Sequence, residues 1–195
     1  MGTKPKPERR TRDLTATRTA LLHAARVAFT RRGYEAAGVR EIADMAGADK
    51  ALIVRYFGSK EGLFAEAVPA TFDASHLVEG DRAGFGERAV RRLVENRHVE
   101  GFDPTIALLR SVSDPGASEH LRAGVEQRMV APIAAWLGGE DAVPRAAALV
   151  AQLAGFDLMI NVLPLGPFKT CDADALVALL APMLQAVVDG AAPKA

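Results

Sequence analysis

Four cations and a phenol crowd one short stretch of the chain. Arg40, Lys50, Arg55, Tyr56 and Lys60 all fall within VREIADMAGADKALIVRYFGSKEGLF, residues 39–64. Guanidinium and ammonium groups at this density neutralise phosphates and donate hydrogen bonds to base edges. The stretch reads as helix, Gly, short helix, Gly-Ser, helix, and its middle piece KALIVRYF is only about two turns long. Ile42, Ala43, Met45 and Ala46 on one side, with Leu52, Ile53 and Phe57 on the other, supply a small core. That leaves Arg40, Lys50, Arg55 and Tyr56 to face outward. A helix that reads a major groove can be this short, because only a few of its residues reach base edges while neighbouring helices hold it. The pattern is that of a helix-turn-helix. Lys60 and the amides after Ser59 open the next helix, where an anion is favoured.

Other chemistries find less support. His23, His76, His98 and His120 are scattered, and none sits in a metal-binding spacing such as HExxH. No GxSxG, P-loop or GxGxxG occurs, and Cys171 lies beside Asp172 and Asp174 without a recognisable partner. The expectation is a protein that is not an enzyme and holds no cofactor or metal. A metal sensor built from His98, His120 and Cys171 stays open as an alternative.

The elements that must position the cations are helical almost throughout, with no alternating strand pattern. LTATRTALLHAARVAFTRRG forms a first helix, with Leu21, Leu22, Ala25, Val27, Ala28 and Phe29 on one face and Gly33 as its stop. Gly38 and Gly47 bound the helix at 39–46, Asp49 caps the next, and Ser59 caps a fourth that breaks near Pro69. Further helices are predicted at 86–99, 104–112, 118–137 (kinked at Pro132), 144–163 and 172–188. The fold class is all-α, with about nine helices. The expected division is a disordered basic tail over 1–13, a helix-turn-helix domain over 14–65, and a helical domain over 66–195.

The 195 residues are 49% apolar and 25% charged, ordinary for a globular protein. Net charge is zero, yet residues 1–65 hold 13 Lys and Arg against 7 Asp and Glu, whereas residues 66–195 hold 11 against 17. A basic N-terminal third on an acidic body suits a polyanion partner for one part only. A single cysteine allows no internal disulfide. No signal peptide is evident, and no apolar run is expected to reach the roughly 18 residues that span a bilayer, so a cytoplasmic protein without a membrane partner is expected.

Residues 18–64, RTALLHAARVAFTRRGYEAAGVREIADMAGADKALIVRYFGSKEGLF, resemble the DNA-binding domain of tetracycline-repressor-like (TetR family) regulators almost end to end. The marks are A-x-x-x-F-x-x-x-G-Y ending at Tyr34, VREIA at 39–43, AG at 46–47, the Lys50-Ala51 pair, and YF-x-SKE-x-LF at 56–64. The C-terminal part is similar more weakly, through ALLRS at 107–111 and LVALLAPMLQ at 176–185. The resemblance implies Arg40, Lys50, Ala51 and Arg55 as base-edge or groove-floor contacts, and Tyr56 and Lys60 as phosphate contacts. Two positions depart from the family pattern: Gly38 stands where a hydroxyl residue is usual, and Val54 where many members have Tyr.

The resemblance also implies a homodimer on a palindromic double-stranded operator, a C-terminal domain that encloses a small apolar effector, and repression as the output. Ala147, Ala151 and Gly155 recur every four residues in a nearly uncharged helix, and the last helix presents Leu176, Leu179, Leu180, Met183 and Val187. These two helices are the expected dimer interface. Effector-pocket candidates are Phe102, Leu108, Val112, Met129, Trp136 and Phe156, with Asp157 and Asn161 as polar groups at i, i+4. Asp157 needs a partner if buried; Arg110, the sister subunit and a ligand are the candidates. An effector-independent or protein-regulated factor of the same fold remains the alternative.

Overall fold

A computed structural model describes the backbone of residues 7–95 and 101–190, and side chains from residue 14 onward. His98 and the tail cations Lys4 and Lys6 lie outside the described residues, as do the side chains of Arg9, Arg10 and Arg12. The described residues form helices α1 (Pro7–Ala36), α2 (Val39–Met45), α3 (Ala51–Phe57), α4 (Lys60–Ala67), α5 (Ser75–Val78) and α6 (Phe85–Val94). They continue with α7 (Pro104–Ser111), α8 (Pro115–Val125), α9 (Ala131–Leu137), α10 (Ala142–Asp157), α11 (Gly166–Thr170) and α12 (Ala173–Val188). No strand occurs among the described residues. The all-α expectation holds. α1 starts at Pro7, inside the segment that reads from sequence as a tail, and α5 and α11 are single-turn helices that periodicity does not reveal.

The described residues pack as two compact units, one drawn from residues 7–71 and 101–121, the other from residues 72–95 and 122–190. In the first, α1 buries Leu21, Ala24, Ala25, Ala28 and Phe29 against Ile42 and Ala43 of α2, Ile53 and Phe57 of α3, and Leu63, Phe64 and Ala67 of α4. Phe64 meets Phe29 edge-on at 4.9 Å and Tyr34 at 5.0 Å, an arrangement that adds to simple burial. α7 joins this unit against the end of α1. Gly33, at φ 74°, interrupts α1 where a Cβ would overlap the Arg110 carbonyl oxygen. The neighbouring Tyr34 N–H donates to Ser111 Oγ at 3.0 Å.

The second unit buries Phe85, Ala89 and Val90 of α6, Ile133 and Leu137 of α9, Leu149 and Leu153 of α10, and Val177, Leu180 and Leu184 of α12 in one core. α6 crosses α12 at Gly86, where a side chain would run into the Ala181 carbonyl; Gly86 N–H donates to Gln185 Oε1 at 3.0 Å. Pro132 has the effect its chemistry requires. It has no N–H for the carbonyl four residues back, and the helix widens into a π-turn over Glu126–Val130. The Arg128 carbonyl, which Pro132 cannot serve, accepts the Ala74 N–H at 3.2 Å.

One expectation about membranes changes. The helical run Ala142–Val162 is long and apolar enough, by length and composition, to cross a bilayer. It nevertheless carries Arg145, which donates to the Val187 and Val188 carbonyls, and the buried Asp157. Its inner face supplies Ala146, Leu149 and Leu153 to the core. A core helix passes the same test of length and composition as a membrane span.

Candidate functional site

The turn between α2 and α3 is built by two small devices. Gly47 at φ 62° ends α2, and Ala48 N–H returns to the Ala43 carbonyl at 2.9 Å. Asp49 Oδ1 then accepts the Ala51 N–H at 2.7 Å, starting α3 as its sequence position suggests. Ile53 and Phe57 point into the core, so Lys50, Ala51, Val54 and Arg55 fall on the solvent face. Arg40 is exposed on α2, next to a pair in which Arg32 Nε meets Glu41 at 3.0 Å.

The turn into α4 is equally specified. Gly58 takes φ 76°, and Ser59 Oγ accepts Gly62 N–H at 3.1 Å. Gly62 is required here, since a Cβ would overlap the Phe57 carbonyl oxygen. α4 is braced from behind: Arg26 Nε donates to the Ala67 carbonyl at 3.0 Å, and Arg18 pairs with Glu66.

Two of the six expected DNA contacts, Tyr56 and Lys60, are partly buried and make contacts inside the fold. Tyr56 is half-buried, and its hydroxyl is covered with no hydrogen-bond partner among the described residues. Tyr56 lies at the border between the core side and the solvent face of α3, with its ring 6.2 Å from that of Phe57. Lys60 is already engaged, its Nζ donating to the Glu35 carbonyl at 3.0 Å and lying 4.7 Å from the Tyr34 ring centre. Tyr34 does more than pack. Its hydroxyl donates to Glu61 Oε1 at 2.8 Å, and bonds from Ser59 and from Tyr34 hold the Glu61 carboxyl down at about 2. Burial, followed by that bond, pushes the Tyr34 phenol up. The signal is present in sequence as the G-Y of one motif and the S-K-E of the next.

The C-terminal candidates divide. Phe102, Leu108 and Val112 belong to the first unit, with Phe102 buried and Val112 exposed. Met129, Trp136 and Phe156 pack on the core of the second, where Trp136 lies 5.3 Å from Phe85. Asp157 accepts from Asn161 Nδ2 at 2.8 Å, and the same nitrogen donates to the Leu93 carbonyl at 3.1 Å. Arg110, the partner considered for Asp157, donates to the Arg31 carbonyl instead. Among the interface candidates, Ala147, Ala151, Gly155 and Met183 are exposed. Leu176 and Leu180 are a correction: both are buried inside the unit, and Val187 packs on the core. A 16-residue helix with apolar residues on most of its faces hides which of them turns inward. No group of three or more His, Cys, Asp or Glu able to hold a metal occurs among the described residues.

Comparison with known proteins places this geometry. Residues 21–67 match the family model described as bacterial regulatory proteins, tetR family. Residues 83–188 match the tetracyclin repressor-like C-terminal domain. The HTH-type transcriptional activator FasR of Mycolicibacterium smegmatis is 39% identical over 90 residues, which are 44% of this chain; the chain spans 38% of that relative's length. A TetR-family regulator from Streptomyces coelicolor has a similar structure (TM-score 0.59, 30% identity, covering 97% of this chain and 99% of that one). NalD of Pseudomonas aeruginosa, the secondary repressor of the MexAB-OprM multidrug efflux pump, shares the fold (TM-score 0.61, 21% identity, covering 86% and 95%). With its basic helix-turn-helix and both family domains matched along most of its length, the chain belongs to the TetR family of DNA-binding transcriptional regulators.

Proposed function

We propose that the protein is a homodimeric, ligand-responsive repressor of a palindromic operator. The groove contacts come from Arg40, Lys50, Ala51 and Arg55, and Lys60 and Tyr56 shape the turn that presents them. The observation that supports the dimer most directly is an uncovered apolar surface on the second unit. Val143 (62% exposed), Leu179 (60%) and Met183 (51%) stand in solvent, with the small exposed residues Ala147, Ala151 and Gly155 on the same two helices, α10 and α12. Exposed apolar residues grouped on two helices in this way suit an interaction surface. A second copy of the same face closes it by two-fold symmetry. Two reading heads related by that axis then match a palindrome.

The effector reading assigns a small apolar ligand to residues 66–195 and rests on the family resemblance. A ligand that favours one arrangement of the two heads shifts the dimer away from the operator. Such a protein works in the cytoplasm, where its operator is. Repression is the direction that the family resemblance implies, and NalD, by its description a repressor, is alike in fold alone. A second reading, activation, draws support from FasR, whose matched 90 residues are more similar in sequence to this chain. Footprinting of genomic fragments bound by the purified protein, followed by transcription from them in vitro, separates the two. Transcription falls with added protein for a repressor and rises for an activator. Candidate effectors come from the chemistry of the neighbouring genes. A compound that leaves operator affinity unchanged, and whose own binding the operator leaves unchanged, removes the ligand-responsive reading for that compound class.

A further inference from the structure

The free face of α3 is not uniformly basic. Ala51, Val54 and Arg55 recur at i, i+3 and i+4, and Lys50 precedes them. Val54, at 62% exposed, is the most solvent-accessible large apolar side chain among the described residues of the first unit, on a helix whose other side is occupied by Ile53 and Phe57. An isolated exposed valine needs no explanation on an ordinary surface. This one lies between two cations, on the face turned away from the core of a helix-turn-helix. It cannot contact a phosphate, because it has no donor. Among the groups that base edges present in the major groove, the thymine C5 methyl is the apolar one.

We infer that Val54 reads a thymine methyl group in each half-site, beside the base pair contacted by Arg55. Ala51, one turn earlier, lets the helix approach the groove floor closely. The inference rests on α3 being the groove helix. Lys50 and Arg55 supply the electrostatic attraction that brings the helix in, and Val54 converts proximity into sequence preference. Water is displaced from both the isopropyl group and the methyl when they meet. On the transfer scale for one buried methyl group the gain is about fourfold in affinity.

The test uses the full-length chain and finds its own operator. Duplexes selected from a random-sequence pool give the preferred site, and each thymine in it is then replaced singly by uracil, which lacks only the methyl. The expected result is one position per half-site at which uracil weakens binding about fourfold. Val54→Ala should bind the thymine and uracil duplexes alike. Arg55→Ala should keep the thymine–uracil difference but lose preference at the adjacent base pair. Equal affinity of the unaltered protein for every uracil duplex overturns the inference. So does a thymine–uracil difference that persists undiminished in Val54→Ala. If either occurs while Lys50→Ala and Arg55→Ala still change the selected site, only the Val54 assignment falls. If neither of those two substitutions changes the site, α3 is not the reading helix and the underlying reading falls too. Val54 is exposed, and an unchanged urea midpoint for Val54→Ala confirms that folding is not what was measured.

Discussion

Arg55 and Glu61 illustrate two different uses of charge within a few residues. Arg55 is exposed on α3 with its core neighbours fixed on either side, so replacing it changes little but the surface. Arg55→Ala should cost roughly 1–3 kcal/mol of operator binding and relax specificity at one position, read from equilibrium binding to the selected site and its single-base variants. Glu61 acts within the fold. Its carboxyl is held at about 2, below the ordinary 4.5, by bonds from Ser59, its own amide and the Tyr34 hydroxyl. A depressed carboxyl stabilises the fold fully above its unfolded value and loses that contribution as pH falls toward the folded one. Stability should therefore decline from about pH 4.5 down to about pH 2 in part through this group. Urea midpoints for Glu61→Gln should fall below those of the parent at neutral pH and converge with them as pH drops toward about 2. A constant gap across that range would mean that the Tyr34–Glu61 bond does not titrate with the fold.

Among the elements, glycine controls how closely helices meet. Gly62 lets α4 start against the last carbonyl of α3, and Gly86 lets α6 cross α12 with backbone nearly on backbone. Either site has no room for a methyl group, and the atom in the way is main chain. Gly86→Ala and Gly62→Ala should each lower stability by roughly 1–3 kcal/mol in urea unfolding, the usual cost of overpacking. Gly166→Ala is the control: a Cβ there meets nothing within 4 Å, and its effect should stay within about 0.5 kcal/mol. Gly62→Ala should also weaken DNA binding more than Gly86→Ala does, because it shifts the turn that follows the reading helix.

For the molecule as a whole, the opposed charges of the N-terminal third and the remainder divide the work. The cations Arg40, Lys50, Arg55 and Lys60 lie in the first unit, and the exposed apolar residues of α10 and α12 lie in the other. Ala151→Glu places a charge in the middle of that surface without touching the core, since Ala151 is exposed. The variant should sediment as a monomer, keep its helical circular dichroism, and lose most operator affinity through loss of the paired half-site. A dimer of unchanged affinity would exclude this face as the interface. Leu179→Ser and Met183→Ser should act in the same direction, whereas Leu180→Ser should unfold the unit, because Leu180 is buried in it.

Some of this is local chemistry and is therefore readable in the chain. The capping residues Asp49 and Ser59, the stops at Gly33 and Gly47, the break near Pro69 and the disturbance at Pro132 depend on a residue and its near neighbours. Sequence alone determined them, along with the all-α class and the basic helix-turn-helix. What tertiary structure decided was direction and partnership between distant residues. Leu176 and Leu180 turn inward while Leu179 and Met183 turn out, because α12 packs on α6 along a line that Gly86 sets. Tyr56 lies half-buried at the border of the solvent face, and Tyr34 becomes the link to Glu61 and Lys60. Helical periodicity fixes which residues share a face, but only packing against another element fixes which face is buried.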